Sequence, residues 1–110
     1  MQFDVVVVRA FGTVVVSACG QLERPQCTYL DRVLTDLIED PANLTVAVDL
    51  ASATLGAGRH MLLVIAACRA RRRGTRFIVK EPAADTAQAL RAHELGDLAE
   101  ILPRRTPAPR

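Results

Sequence analysis

The sequence predicts a single α/β domain, in which a mixed, mostly parallel sheet opens with an N-terminal hairpin and has helices packed against it. Two observations predict this class. Runs of β-branched residues alternate with stretches of helical periodicity along the chain. Half of the 110 residues are hydrophobic, which is enough for one compact core, and the length leaves no room for two ordinary domains. We expect residues 1–103 to form the domain and residues 104–110 to be a disordered tail.

The N-terminal part predicts a hairpin followed by a helix. Two β-branched runs, residues 4–9 and 13–19, flank Gly12, which suits a tight turn. Pro25 suits the first turn of a helix, and apolar residues then recur at helical spacing as far as Ile38. We expect residues 20–24 to be a turn that leads from the second strand into this helix.

The middle of the chain predicts a buried strand, a loop and a second helix. Residues 44–50 are nearly all apolar or β-branched, as in a strand that is covered on both faces. Residues 51–58 are small and predict a loop. Residues 58–73 predict a helix, well buried over its apolar stretch 61–68, with Gly74 as its C-cap. Farther on, the pattern predicts a strand over residues 75–79.

The last elements are a third helix and a short strand. The helix begins at Pro82 and continues to Glu94. Residues 95–98 predict a turn, and residues 99–102 predict the closing strand. The alternation of strands and helices after the hairpin predicts right-handed crossovers between parallel strands.

Charge and hydropathy argue against membrane insertion and direct nucleic-acid binding, and they leave binding to an acidic partner open. The formal net charge is only +2, but five arginines lie within residues 69–76. This cluster suits the dipole of a helix C-terminus, and it is also weak evidence for an acidic partner or RNA. One tyrosine, three phenylalanines and no tryptophan leave few groups on which bases could stack, so we expect no direct nucleic-acid binding. We find no span for membrane insertion and no signal-peptide pattern, and we expect a cytoplasmic protein.

The three cysteines predict free thiols. Cys19, Cys27 and Cys68 are odd in number and lack Cys-x-x-Cys spacing. Cys68 lies in an apolar stretch that predicts a core position. A regulatory disulfide between Cys19 and Cys27 is an alternative, because one ends a predicted strand and the other begins the next helix.

Four segments, taken in order, carry a family resemblance. They are residues 14–23 with their Gly20-Gln21-Leu22-Glu23 ending, the strand 46–50, the Gly74-led strand 74–79, and the closing segment 90–102. Together they resemble the STAS domain, the fold of bacterial anti-sigma factor antagonists, over about residues 5–102. The resemblance implies a non-catalytic regulatory domain that binds a kinase-type anti-sigma factor and so frees a sigma factor.

The phosphorylation motif of that family is degenerate here. The family has Asp-Ser-Ser-Gly or Asp-Ser-Ala-Gly between the central strand and the next helix, and the partner kinase phosphorylates the first hydroxyl of the motif. The matching positions are Ala57, Gly58, Arg59 and His60, so the acceptor position is Gly58, which has no hydroxyl. A phosphate adds about two negative charges at a helix N-terminus, and that switch is expected to be absent. Ser52 and Thr54 are either displaced acceptors or ordinary loop hydroxyls.

The resemblance implies a partner-binding surface at the end of the second strand and in the loop before the second helix. Its predicted residues are Gly20, Gln21, Glu23, Ser52, Thr54, Gly56, Ala57, Gly58, Arg59 and His60. Other STAS domains serve transporters or bind small anions or lipid-linked groups, so an anion site near Arg59 is an alternative. A third alternative is a structural subunit of a larger assembly.

Nothing in the sequence predicts an enzyme, a cofactor or a metal site. No Ser-His-Asp or Cys-His arrangement and no paired carboxylates at catalytic spacing are recognised. The stretch Gly56-Ala57-Gly58 lacks the Lys-Ser/Thr ending of a phosphate-binding loop, so we expect a close-packing turn. His60 and His93 are expected on separate, distant elements, which argues against zinc.

Overall fold

The elements alternate as the sequence predicts. In the computed structural model, which describes residues 3–56, 58–93 and 99–103, five strands and three helices follow one another. They are β1 (Asp4–Ala10), β2 (Thr13–Leu22), α1 (Arg24–Glu39), β3 (Thr45–Leu55), α2 (Met61–Arg73), β4 (Arg76–Lys80), α3 (Ala84–Ala92) and β5 (Glu100–Leu102). None of these helices is both long and apolar enough to span a membrane. The predicted turn 95–98, the helix end at Glu94 and the tail 104–110 lie outside the described residues.

The five strands form one sheet in the order β1-β2-β3-β4-β5. Strand β1 is antiparallel to β2, and every later neighbour is parallel. This confirms the hairpin and the mostly parallel sheet. Each crossover after β2 moves one strand in the same direction, so right-handed crossovers place the helices on one face of the sheet. Accordingly, α1 packs on β2 and β3, and α2 packs on β4 and on α1.

The core lies between the sheet and the helices. Helix α1 contributes Leu30, Leu34, Leu37 and Ile38, the residues of its predicted apolar side. The fully buried strand residues on this face are Val14, Val16, Val46, Val48, Phe77 and Val79. The other face is not covered by any helix of the described chain, and Val6 and Val8 are 47% and 57% exposed there. The prediction that residues 44–50 are covered on both faces therefore holds only at the sheet centre, where Ala47 is buried.

The helix ends are closed by local groups. Glu23 and Gln26 form a capping box at the start of α1, where Glu23 N donates to Gln26 Oε1 at 3.1 Å. At the end of α2, Gly74 takes the left-handed conformation with φ of 71°, and its N–H donates to Arg71 O at 3.2 Å. The predicted C-cap is confirmed, because a residue without a Cβ adopts this conformation at little cost.

Four predicted boundaries are wrong. Helix α3 begins at Ala84 rather than at Pro82, because the extended backbone of Ala83, with ψ of 153°, makes that residue the N-cap. Strand β2 continues to Leu22, and β3 continues to Leu55, so residues 20–22 and 51–55 belong to strands rather than to a turn and a loop. Their pairing continues past an irregularity between the Ser17 and Cys19 pairs, because a β-bulge accommodates the extra residue of β3 without ending the ladder. Helix α2 begins at Met61 rather than at residue 58, because the preceding glycine has a left-handed backbone.

Candidate functional site

The candidate site lies where β3 ends and α2 begins, at the carboxyl edge of the parallel strands. Leu22 and Leu55 are paired at this edge, so α1 and the segment before α2 start beside each other. Ligand-binding segments gather at the carboxyl ends of parallel strands, because the chain leaves the sheet there. Of the predicted surface residues, Glu23, Gly56, Gly58, Arg59 and His60 lie in this region. Ala57 lies outside the described residues.

Gly58 is needed for its backbone conformation. Its φ is 76°, and within the described residues no atom beyond its two chain neighbours lies within 4 Å of the place that a Cβ would take. The predicted close-packing turn is therefore wrong at this residue, since the glycine is required by a left-handed backbone and not by a crowded neighbour. A side chain at this position would project into open space beside the start of α2.

Arg59 lies against the turn and lines the same cavity as residues of α1. Its N–H donates to Gly56 O at 3.1 Å, and its Cγ lies 3.5 Å from a Cβ built on Gly56. Burial raises the pKa of the Cys27 thiol, while the nearby Arg59 charge lowers it and Glu23 raises it. Arg59 therefore acts electrostatically across the space between the two helices.

His60 and His93 lie together, contrary to the prediction that they are distant. Their ring centroids are 5.2 Å apart with an interplanar angle of 40°. The Nε2 atom of His60 is buried and has no hydrogen-bond partner within the described chain. Among residues 3–56, 58–93 and 99–103, no group of three or more His, Cys, Asp or Glu side chains is placed to hold a metal ion. The pair was missed because the sequence does not reveal that the end of α3 returns to the start of α2.

A groove between α1 and α2 extends from this turn. Its volume is about 310 Å³, and it is lined by Arg24, Cys27, Thr28, Asp31, Gly58, Arg59, Met61, Leu62, Ile65 and Arg69. We call it the α1–α2 groove. Met61 and Ile65 are 41% and 44% exposed on its α2 side, so the prediction that the whole stretch 61–68 is well buried is wrong. Exposed apolar side chains beside cations are typical of binding surfaces.

The spacing of these side chains is the signal that sequence reasoning missed. Met61, Ile65 and Arg69 recur every four residues, which places them on one side of α2. Arg69 donates from Nη1 to Asp31 Oδ1 at 3.3 Å and also to Thr35 Oγ1. The ion pair holds the two helices together beside the exposed apolar side chains.

The remaining predicted residues lie elsewhere. Gln21, Ser52 and Thr54 are exposed strand residues, and Gln21 pairs with Thr54. They lie on the helix-free face, whereas Gly20 is buried in β2 and pairs with Ala53. The predicted surface is thus divided between the two faces of the sheet, because β2 and β3 continue as strands through residues expected to be loops.

The cysteines are unpaired thiols, as expected. Cys19 pairs with Ser52 on the helix-free face, whereas Cys27 lies on α1 with its Sγ 3.7 Å from Leu22 O. The structure therefore does not bring the two proposed redox partners together. Cys68 is only partly buried rather than in the core.

The basic cluster is largely used within the fold. Beyond the Arg69 ion pair, Arg73 donates to Glu39 O at 2.8 Å, and Arg76 donates from Nε to Glu100 Oε1 at 3.0 Å. Three of the five arginines therefore hold neighbouring elements, which favours the structural interpretation of the cluster over a nucleic-acid patch.

Comparison with known proteins gives a match in structure only. No protein-family model and no curated protein matches the sequence. An anti-sigma factor antagonist from Mycobacterium paratuberculosis superimposes with a TM-score of 0.75 at 17% identity, over 94% of this chain and 87% of that chain.

The anti-sigma factor antagonist SpoIIAA gives the same result in two forms. Its unphosphorylated form has a TM-score of 0.74 at 13% identity, over 94% of this chain and 90% of that chain. The phosphorylated form, from Bacillus, has a TM-score of 0.73 at 14% identity, over 94% and 93% of the two chains. The predicted resemblance is thereby confirmed at the level of architecture, and the chain has the STAS fold of the anti-sigma factor antagonists.

Proposed function

We propose that this protein is a non-catalytic regulatory domain that binds a kinase-type anti-sigma factor through the α1–α2 groove and the turn before α2. Binding would sequester the anti-sigma factor and free a sigma factor. The observation that carries this proposal is the exposure of Met61 and Ile65 beside Arg59, at the start of α2 on a fold shared with antagonists.

The chemistry of the groove supports a protein partner. Two half-exposed aliphatic side chains supply apolar area that a partner would remove from water. Arg24 and Arg59 flank them, and the charge of Arg69 is partly neutralised by Asp31. The surplus of positive charge favours a partner that presents carboxylates, and arginine suits such contacts because its planar guanidinium binds carboxylates with two hydrogen bonds.

The absence of a hydroxyl at Gly58 supports control without phosphorylation at this position. One of the compared antagonists is known in an unphosphorylated and a phosphorylated form. In the present chain the motif spacing predicts Gly58 as the acceptor position, which has no side chain, and the neighbouring Arg59 carries a positive charge. The exposed hydroxyls of Ser52 and Thr54 lie on the helix-free face, so phosphate there would be remote from the α1–α2 groove.

The test is a binding titration with kinase-type anti-sigma factors encoded in the same genome. We expect one of them to bind, and we expect Ile65→Asp and Arg59→Glu to weaken that binding at least about tenfold. The control is Leu102→Asp, which places the same charge on an exposed apolar residue at the far edge of the sheet. Mass spectrometry after incubation with ATP should detect no added phosphate.

Three results would contradict the proposal. One is the absence of binding to every kinase-type anti-sigma factor tested. Another is an equal loss of binding in the Leu102→Asp control. The third is binding only to a transporter ATPase, which would favour the transporter alternative.

A further inference from the structure

Strand β1 is an unprotected edge of the sheet. All seven residues pair with β2 on one side without a bulge, and no described strand pairs with the other side. Val6, Val7 and Val8 are all exposed there, and the strand contains no proline or lysine. Native proteins usually cover, twist or charge such an edge, because its free N–H and C=O groups are a template for another strand. The opposite edge, β5, has only three residues.

We propose that β1 pairs antiparallel with β1 of a second copy, so that two sheets join into one across a two-fold axis. A two-fold axis perpendicular to the sheet places the helix-covered faces of both copies on the same side. Each residue of β1 must therefore lie opposite a residue of the other β1 whose side chain is on the same face. The register that pairs every residue of β1 is centred on Val7. It opposes Val6 to Val8 of the second copy and Asp4 to Ala10 of the second copy.

The same register gives a contact to an aromatic side chain that is fully exposed in one copy. Phe11 lies at the tip of the β1–β2 hairpin, is fully exposed and has a φ of 50°. Such a conformation is uncommon for a bulky residue. Counting outwards from Val7, Phe11 falls opposite Phe3 of the second copy.

An apolar pocket lies at that position. It has a volume of about 330 Å³ and is lined by Phe3, Pro25, Gln26 and Tyr29. Phe3 and Tyr29 form an edge-to-face pair with centroids 6.0 Å apart. A third ring would bury apolar area and extend this cluster, and the two-fold axis repeats the contact at both ends of the joined strands.

The charges of β1 are compatible with this pairing. Asp4 and Arg9 lie near opposite ends of the strand, so an antiparallel copy opposes neither charge to a like charge. The side chains that line the pocket are distinct from those of the α1–α2 groove, so self-association would leave the groove of both copies open.

The test is analytical ultracentrifugation of the full chain over a dilution series, which measures the mass of the species in solution and the dissociation constant of the dimer. We expect a reversible dimer of twice the 11.9 kDa chain mass. Val7→Lys, which opposes two ammonium groups at the axis, and Phe11→Asn should each raise the dissociation constant at least about tenfold. Phe11→Asn also separates association from folding, since asparagine tolerates a positive φ. At concentrations where both proteins are monomeric, the variant should therefore unfold at the same or a higher temperature than the wild type.

Leu102→Thr at the β5 edge is the control and should leave the dissociation constant unchanged. A monomer at every concentration would overturn the proposal. So would species larger than a dimer, because pairing of β1 with itself closes at two copies. An undiminished dimer in Phe11→Asn would also overturn the assigned register.

Discussion

Replacing Gly58 by aspartate and by asparagine tests whether negative charge at this turn controls binding. In the part of the chain that the structure describes, no atom beyond the two chain neighbours lies within 4 Å of a Cβ at this position, so neither side chain meets a steric obstacle there. Both variants must adopt the left-handed backbone with φ of 76°, which costs about 1 kcal/mol of folding stability in each. The aspartate variant regains some of this folding stability, at most about 1 kcal/mol, because an anion is favourable near the start of a helix. The aspartate variant should therefore unfold no more easily than the asparagine variant.

In binding, the order of the two variants should be reversed, and the aspartate variant should bind the partner more weakly than the asparagine variant. We take the distance between a carboxylate on residue 58 and an acidic group of the partner that contacts the neighbouring Arg59 as about one Debye length, roughly 8 Å. At an effective dielectric constant of about 20, the repulsion is about 2 kcal/mol, or roughly thirtyfold in Kd. Screening at physiological salt, where the Debye length is about 8 Å, reduces the repulsion to about 0.8 kcal/mol, or roughly fourfold in Kd. Asparagine carries no charge and should change the Kd much less.

The assay is isothermal titration calorimetry against the anti-sigma factor that the wild-type protein binds, at two salt concentrations. We expect Gly58→Asp to bind about four times more weakly than Gly58→Asn at physiological salt, and the ratio should shrink as salt is added. Equal affinities for the two variants would refute the charge-based reasoning. A ratio that does not respond to salt would point to a conformational cause instead.

Three further predictions concern stability and reactivity. Arg69→Gln should lower the free energy of unfolding by about 0.5 kcal/mol, measured by urea denaturation, because the half-exposed ion pair with Asp31 is lost. Leu63→Ala removes a fully buried side chain and should cost about 2–5 kcal/mol in the same assay, whereas Ile65→Ala, half exposed, should cost much less; similar losses would contradict the assigned burial. Burial raises the pKa of the Cys27 thiol, so alkylation should be slower in the folded than in the urea-unfolded protein. The protonated Cys27 thiol should contribute fully to stability below its pKa in the unfolded chain, and this contribution should be lost as the pH rises through its higher pKa in the folded chain. An unfolding free energy that does not change from neutral pH to about pH 10 would contradict this.

The order and type of the elements could be predicted because each has a strong local signal. The hairpin has two β-branched runs around Gly12, and α1 has a proline start and a continuous apolar side that becomes Leu30, Leu34 and Leu37 in the core. Strand ends were harder. Residues 51–55 are small and mostly weak strand formers, and they remain in β3 because Gly20 to Leu22 of β2 pair with them. That stabilisation comes from a neighbouring strand and is invisible in the local sequence.

Only part of the candidate site could be predicted, because the rest depends on contacts between elements that are distant in the sequence. Motif spacing located Gly58, Arg59 and His60 next to the start of α2, where the structure has them. The α1–α2 groove was missed because an apolar run such as 61–68 does not reveal which of its residues another helix covers. Helix α1 covers one side of α2 and leaves Ile65 half exposed. Likewise, only the path of α3 brings His93 to His60.

The missing side chain at residue 58 has a consequence for the timing of a response. A hydroxyl can be esterified and hydrolysed repeatedly, so one molecule can be withdrawn and returned many times without new synthesis. Gly58 offers no oxygen for such a cycle. Under the proposed function, the protein would act as a stoichiometric titrant, whose effect depends on how many copies exist relative to the partner. The duration of the signal would then be set by the rates of synthesis, dilution and degradation of the chain.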